Sequence, residues 1–252
     1  MKFDYYEQIK SEQNGINYDP DSSPRAWEYY RHYYSSNHWK LLDVFDINNV
    51  NTYNRLFGTS YDEGQYKRLL APISKGDEYS KSVNMFWKKF TLGGETDFNF
   101  NQGKIALFKV IIGDSEENKE ILEECQRKHH TVVNFSLMAA TGGLNIYKGR
   151  NRFDRFDVFV RDLNNYYLGI SSEVLSEAKA NLQPLKNFLR TFSDIYGYCQ
   201  SLYFIRDKDF VDRIIDEGKL SIKTVCDVKR YMKLAKDYWN LKEEHFNRVD
   251  EK

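Results

Sequence analysis

In the second half of the chain, apolar residues recur with a helical period over three long stretches, and this leaves little choice of architecture. Phe153, Phe156, Val160, Leu163 and Tyr167 stand at offsets 0, 3, 7, 10 and 14, which gathers them on one helical face. Leu185, Phe188, Leu189, Phe192, Tyr196 and Cys199 make a second stripe, with Pro184 near its start. Val225, Val228, Met232, Ala235, Trp239 and Phe246 make a third. One-sided helices must bury those faces against each other or against a sheet. The expected fold class is therefore α+β, mainly α: a helical domain with a small antiparallel sheet.

Residues 85–113 supply the candidate sheet. The run Met85 to Leu92 ends at the turn signal Gly93-Gly94, Asp97 to Asn101 alternates polar with apolar, and Lys104 to Ile112 is a β-rich run closed by Gly113. Residues 114–252 form the helical part. Its first helix has Asp114 or Ser115 as cap, Glu116-Glu117 in the first turn and Arg127-Lys128 at the end, a charge order that complements the helix dipole. Residues 1–84 form an aromatic-rich N-terminal part. There, Ser23-Pro24 is expected to open a short helix carrying Trp27, Tyr30 and Tyr34, and residues 43–84 read as loops and short helices. No repeat or long linker interrupts the chain, so residues 1–252 are assigned to a single globular domain.

Aromatic residues make up 16% of the chain, with 19 Tyr and 17 Phe, enough to fill a large core with side chains that also need polar partners. Lys plus Arg balances Asp plus Glu at 37 each. Nonspecific nucleic-acid binding is not favoured by that balance, although a local basic patch is not excluded. Cys125, Cys199 and Cys226 are far apart with no CxxC spacing, which suits a reducing compartment, and Cys199 and Cys226 fall on apolar stripes. No signal peptide is evident and no stretch reaches the roughly 18 apolar residues of a membrane span. These features predict a cytoplasmic protein that makes no membrane contact.

The densest polar set runs from Arg127 through His129, His130, Asn134 and Gly142-Gly143 to Asn145, Lys148 and the string Asp154-Arg155-Phe156-Asp157. His130 is the candidate acid, base or ligand, and Asn134 and Asn145 would orient a substrate. Lys148, Asp154 and Arg155 complete the candidate set. Asp154 and Asp157, three apart, are expected to neighbour one another on a helix, with Arg155 pointing elsewhere. Clusters of this kind are more often structural, and the favoured reading has His130 and Asn134 tying down the backbone of a buried loop. No metal set is indicated by spacing, no cofactor is expected, and no phosphate loop, dinucleotide fingerprint or Gly-x-Ser-x-Gly elbow occurs.

Two resemblances attach to these residues. Asn134-Phe135-Ser136-Leu137, Leu144-Asn145 and Lys148-Gly149 look like the second half of a ββα-metal nuclease finger, without the upstream Asp-His pair that its chemistry requires. Residues 125–205 resemble an uncharacterised bacterial family, a domain of unknown function. The matching strings are His130-Thr131-Val132-Val133-Asn134-Phe135, Asp154-Arg155-Phe156-Asp157, Tyr166-Tyr167-Leu168-Gly169, Phe188 to Phe192, and Gly197-Tyr198. That resemblance implies a bacterial or phage protein, helix-rich and cytosolic, and it supplies no reaction. The leading expectation is an interaction or binding protein, with phage-defence accessory as its context. The alternative is an enzyme acting on nucleic acid or a nucleotide. A protein partner, or self-association through the aromatic N-terminal part, is the expected mode of assembly.

Overall fold

The computed structural model describes residues 4–9, 24–35, 92–139, 154–173 and 192–252, with shorter pieces at 12–13, 16–17, 20, 60, 62–65, 148, 176, 185–186 and 189–190. In chain order, a two-residue hairpin β1 (Glu12–Gln13) and β2 (Ile16–Asn17) precedes helix α1 (Pro24–Ser35). Strand β3 (Leu92–Thr96) is followed by α2 (Gln102–Ile112), α3 (Glu116–Lys128), a single 3-10 turn at Val132–Asn134 and strand β4 (Phe135–Ala139). Helices α4 (Phe156–Tyr167), α5 (Ile195–Tyr203), α6 (Lys208–Glu217) and α7 (Val225–Asp250) complete the fold. Helices dominate and β3 pairs antiparallel with β4, so the α+β, mainly α class holds.

The second strand is not where the β-rich composition put it. Lys104 to Ile112 is helical, because Asn101 caps the run by accepting from the Lys104 backbone N–H at 2.9 Å. Ile105, Phe108 and Ile112 then share a buried face while Val110 is 84% exposed. The strand falls instead on Leu92–Thr96, where Gly93 and Gly94 pair with Met138 and Leu137 rather than forming a turn. Phe98 and Phe100, which follow β3, are buried, but so are Asp97 and Asn99, and the polar–apolar alternation there does not make a one-sided strand.

The stripes are realised unevenly. Helix α7 buries Val228, Met232, Ala235, Trp239 and Phe246, but Val225 and Cys226 lie in its exposed first turn, so the Cys226 thiol is not the buried hydrophobe the stripe suggested. A capping box fixes that start, with the Thr224 and Asp227 side chains each bonding the other's backbone N–H. Helix α4 begins at Phe156, after Asp154 has turned to φ 52°, a conformation no α-helix contains. The stripe from Leu185 to Cys199 is broken by bends at residues 192–194, and Asp194 caps a fresh helix by accepting from Gly197 N–H at 2.7 Å. Helix α6 has no counterpart in the three stripes. The expected loops at 43–84 lie almost wholly outside the described residues, as does the Trp27 side chain.

One apolar cluster joins all the larger elements. Tyr29, Tyr30, Tyr33 and Tyr34 of α1 are all buried within it, so these tyrosines fill the core and form no surface for a partner. The N-terminal segment is sewn to the far end of the chain. The Tyr5 hydroxyl shares its one hydrogen between Asp250 at 2.9 Å and Asn247 Oδ1 at 3.1 Å, Tyr33 donates to Asp250 at 3.1 Å, and His32 lies 2.9 Å from the same carboxylate.

Helices α4 and α6 approach very closely where Gly218 follows α6. A Cβ on Gly218 would sit 2.3 Å from the Asp157 carbonyl oxygen, a backbone atom that cannot swing aside. Gly218→Ala is therefore expected to push α6 off α4 and to destabilise the fold by about 1–3 kcal/mol. Urea denaturation checks this, and an unchanged midpoint would mean the two helices are further apart than described.

Candidate functional site

The candidate residues separate into two neighbouring groups. His129 and His130 occupy the turn after α3, their rings stacked at 4.0 Å. His129 Nδ1 accepts from the Phe100 N–H at 3.3 Å, which requires its lone pair to be free of a proton. Burial, then the charge of His130, pushes the His129 pKa down to about 3. His245 of α7, stacked on Phe204 at 4.1 Å, falls to about 4, again mainly through burial.

Both histidines are thus neutral in the folded protein well below the ordinary value of 6.5. As pH falls through 6.5 the unfolded chain takes up protons first, so stability is full above that value and is lost toward pH 4 and 3. The urea midpoint is expected to decline between pH 6.5 and 5, above the range where carboxylates titrate. A flat profile there would mean that these rings are solvated.

Asn134 sits fully buried at the end of the 3-10 turn, with every polar position of its amide in use. Its Oδ1 accepts from Phe98 N–H at 3.0 Å and Trp239 Nε1–H at 2.7 Å, and its Nδ2 donates to the Phe98 and His129 carbonyls at 2.8 Å each. These bonds clamp the segment after β3, the α3 turn and α7 together. Asn145 lies outside the described residues.

The second group gathers at the start of α4. Lys148 is buried, donates to the Thr96 carbonyl and lies 3.4 Å from Asp154 Oδ1. Asp154 also accepts from the Asn99 amide, and its backbone carbonyl accepts from Lys104 Nζ at 2.9 Å. Burial pushes the Asp154 carboxyl up, but the charges of Lys148 and Lys104 outweigh it and hold the pKa below the usual range. The expected Asp154–Asp157 pairing is not formed. Asp154 lies off the helix, and Arg155 is the residue that clasps Asp157, its Nε 2.6 Å from Oδ1 and a second nitrogen on Oδ2. Sequence spacing alone could not anticipate the left-handed turn at Asp154 that produces this exchange.

Arg155 lines a cleft of about 380 Å³ between α2, α4 and residues 218–223, the link from α6 to α7. Among the described residues, every charged side chain lining it is a cation: Lys104, Arg155, Arg161, Lys219 and Lys223. Leu107, Phe108, Val158, Leu220 and Ile222 make up the apolar walls. The 218–223 link is held in place by α4. Arg161 donates to the Gly218 carbonyl at 2.8 Å, and Arg155 to those of Glu217 and Leu220 at 3.4 Å. Arg155 is neutralised by Asp157, and Lys219 by Asp216 at 2.7 Å. Among the described residues, Lys104, Arg161 and Lys223 have no ion-pair partner, and the buried Arg161 Nε–H has no acceptor. Burial lowers the Lys104 pKa to about 7, against the pull of Asp154 and Asp157.

A second cleft, of about 420 Å³, is lined by Tyr6, Gln8, Glu124, Arg127, Lys128 and Thr131. Its charges are mixed, and Glu124 is already paired with Lys128 at 3.4 Å and Lys236 at 2.5 Å.

Lys104, Arg161 and Lys223 were absent from the sequence-based candidates. Lys104 was hidden by the strand reading of its segment, while Arg155, Val158 and Arg161, spaced by three, were a detectable face of α4. Among the described residues no group of three His, Cys, Asp or Glu side chains could hold a metal ion, and no helix is long and apolar enough to cross a membrane.

Comparison with known proteins supplies no counterpart: no family model, no curated protein and no solved structure matches the chain. The likeness of residues 125–205 to an uncharacterised bacterial family therefore rests on the strings that suggested it.

Proposed function

We propose that the protein is a binding protein whose ligand is a small anion, received in the cleft between α2, α4 and the α6–α7 link. The observation that carries this reading is the charge of the lining: among the described residues it is cationic at all five charged positions, and three of those cations have no ion-pair partner there. A low-dielectric cleft of one sign concentrates counter-charged ligands, and about 380 Å³ falls within the size range of small-molecule sites. Asn134 does not support a catalytic role, because all four polar positions of its amide are already engaged within the chain.

A thermal-shift series on the full chain tests the reading, with multivalent organic anions compared against chloride at matched ionic strength. At a hundredfold excess over Kd, a ligand of the folded state adds about 2.7 kcal/mol, or roughly 5–10 °C for a chain of this size. Lys219→Gln/Lys223→Gln, which alters two exposed side chains, should reduce that shift without lowering the unliganded Tm. The absence of any saturable shift beyond chloride would overturn the proposal.

The enzyme alternative draws on one observation, the buried Lys104 at the cleft with its pKa near 7, a condition that suits a lysine to proton transfer. Turnover of a bound ligand that is lost in Lys104→Met would favour it. Unchanged ligand after prolonged incubation would count against it.

A further inference from the structure

Resting on the anion-binding reading, we propose that the ligand is a phosphomonoester with an apolar body, its phosphate held by Lys104, Arg161 and Lys223 and its body against Leu107, Val158 and Leu220. A further consequence is that Lys104 takes up a proton as the ligand enters.

The charge count selects phosphate over carboxylate. A phosphomonoester near neutral pH carries about −1.5 to −2, with three acceptor oxygens. Three cations lining the cleft have no ion-pair partner among the described residues, and Arg161 additionally has an Nε–H without an acceptor. Arg161 and Lys223 carry fixed charge, and Lys104, with its pKa near 7, is a third that a ligand can recruit. A monocarboxylate leaves one fixed cation uncompensated, whereas a phosphate dianion matches both and draws in the third. Inorganic phosphate would satisfy the charges but leave the apolar walls wet. Leu220 is 47% exposed and Leu107 37%, so an apolar body laid against them removes surface from water.

Lys104 is placed to respond to the new charge. Among the described residues its Nζ has one hydrogen-bond acceptor, the Asp154 carbonyl, and it lies 5.5 Å from the centre of the Tyr231 ring of α7. The groups that face it are Asp154, which shares its charge with Lys148, and Asp157, which is clasped by Arg155; His129 beyond them is neutral. Both carboxylates are thus already engaged with other cations. With burial holding the Lys104 pKa near 7, a dianion in the cleft raises it and draws a proton from solvent.

The test is isothermal titration of the full chain at pH 8, in two phosphate-free buffers of different ionisation enthalpy. At that pH a phosphomonoester is already dianionic, its second pKa being about 6, so the proton count belongs to the protein. The probes are phenyl phosphate, inorganic phosphate and benzoate. Phenyl phosphate is expected to bind at least tenfold tighter than either of the others, with uptake of close to one proton. Lys104→Met should abolish the uptake. Lys223→Gln, an exposed change that leaves folding intact, should weaken phenyl phosphate about tenfold while preserving the uptake.

Equal affinity for benzoate and phenyl phosphate would overturn the phosphate assignment while leaving the anion-binding reading standing. Equal affinity for inorganic and phenyl phosphate would overturn the apolar body. Proton uptake that persists in Lys104→Met, or is missing from the unaltered chain, would overturn the role of Lys104. No binding by any probe, together with no thermal shift by any anion, would remove both proposals.

Discussion

Lys242→Met is expected to cost about 3–5 kcal/mol of folding stability, because it strips the counter-charge from a carboxylate that water cannot reach. Lys242 and Asp97 are both completely buried. The ammonium donates to Asp97 Oδ2 at 3.0 Å, to Ser136 Oγ at 2.9 Å and to the Phe135 carbonyl, which uses all three of its hydrogens. Asp97 Oδ2 in turn accepts from Ser136 Oγ at 2.7 Å and from the Tyr238 hydroxyl. Burial lowers the Lys242 pKa, and Asp97 opposes that shift. The four side chains bolt α7 to the sheet from inside the core. Urea denaturation should show the lowered midpoint, and the double variant Lys242→Met/Asp97→Asn should lose much less than the single change, since no net charge then stays buried. Equal losses in the single and double variants would show that packing, rather than the ion pair, sets the cost.

Asn134→Ala should be comparably damaging, at about 4 kcal/mol, since several groups left unsatisfied at about 1–3 kcal/mol each are only partly relieved by relaxation. The abandoned groups are the Phe98 N–H and C=O, the His129 C=O and the Trp239 indole N–H. For a chain of this length the Tm should fall by roughly 10 °C. Affinity at the cation-lined cleft should be unchanged under conditions where the variant stays folded. A fall of less than about 2 °C would return Asn134 to the set of residues free to act on a ligand.

What could be read in the sequence depended on whether local signals and tertiary packing agreed. Helix α3 was fully legible, because Ser115, Glu116-Glu117 and Arg127-Lys128 are written into its ends. Helix α7 was legible by its stripe. Helix α2 was not, because β-branched residues among Ile105 to Ile112 outweighed the short polar signal at Asn101, and in the fold that cap wins. The strand at Leu92–Thr96 was obscured by two glycines that signal a turn in isolation and here simply accept a partner strand. For the site, the structure places Lys148 against Asp154 next to Arg155, and it pairs Asp157 with Arg155 where the spacing puts Asp157 beside Asp154. The backbone reversal at Asp154 that decides it has no sequence signature of its own. The cleft itself draws on residues more than 100 positions apart, such as Leu107 and Leu220, and no short window along the chain contains it.

The seam between Tyr5 and Asp250 has a consequence for how the chain comes off the ribosome. Tyr5 cannot acquire that partner until a residue 245 positions later has been made. At about 5–20 residues per second the wait is roughly 12–50 s. Throughout that interval Tyr29, Tyr33 and Tyr5 lack Phe246, the ring against which all three pack. Between the making of Tyr33 and that of Phe246, a nascent chain therefore carries Tyr5, Tyr29 and Tyr33 without the ring that packs all three. Chaperones that hold exposed aromatic segments would have that interval in which to act on these tyrosines.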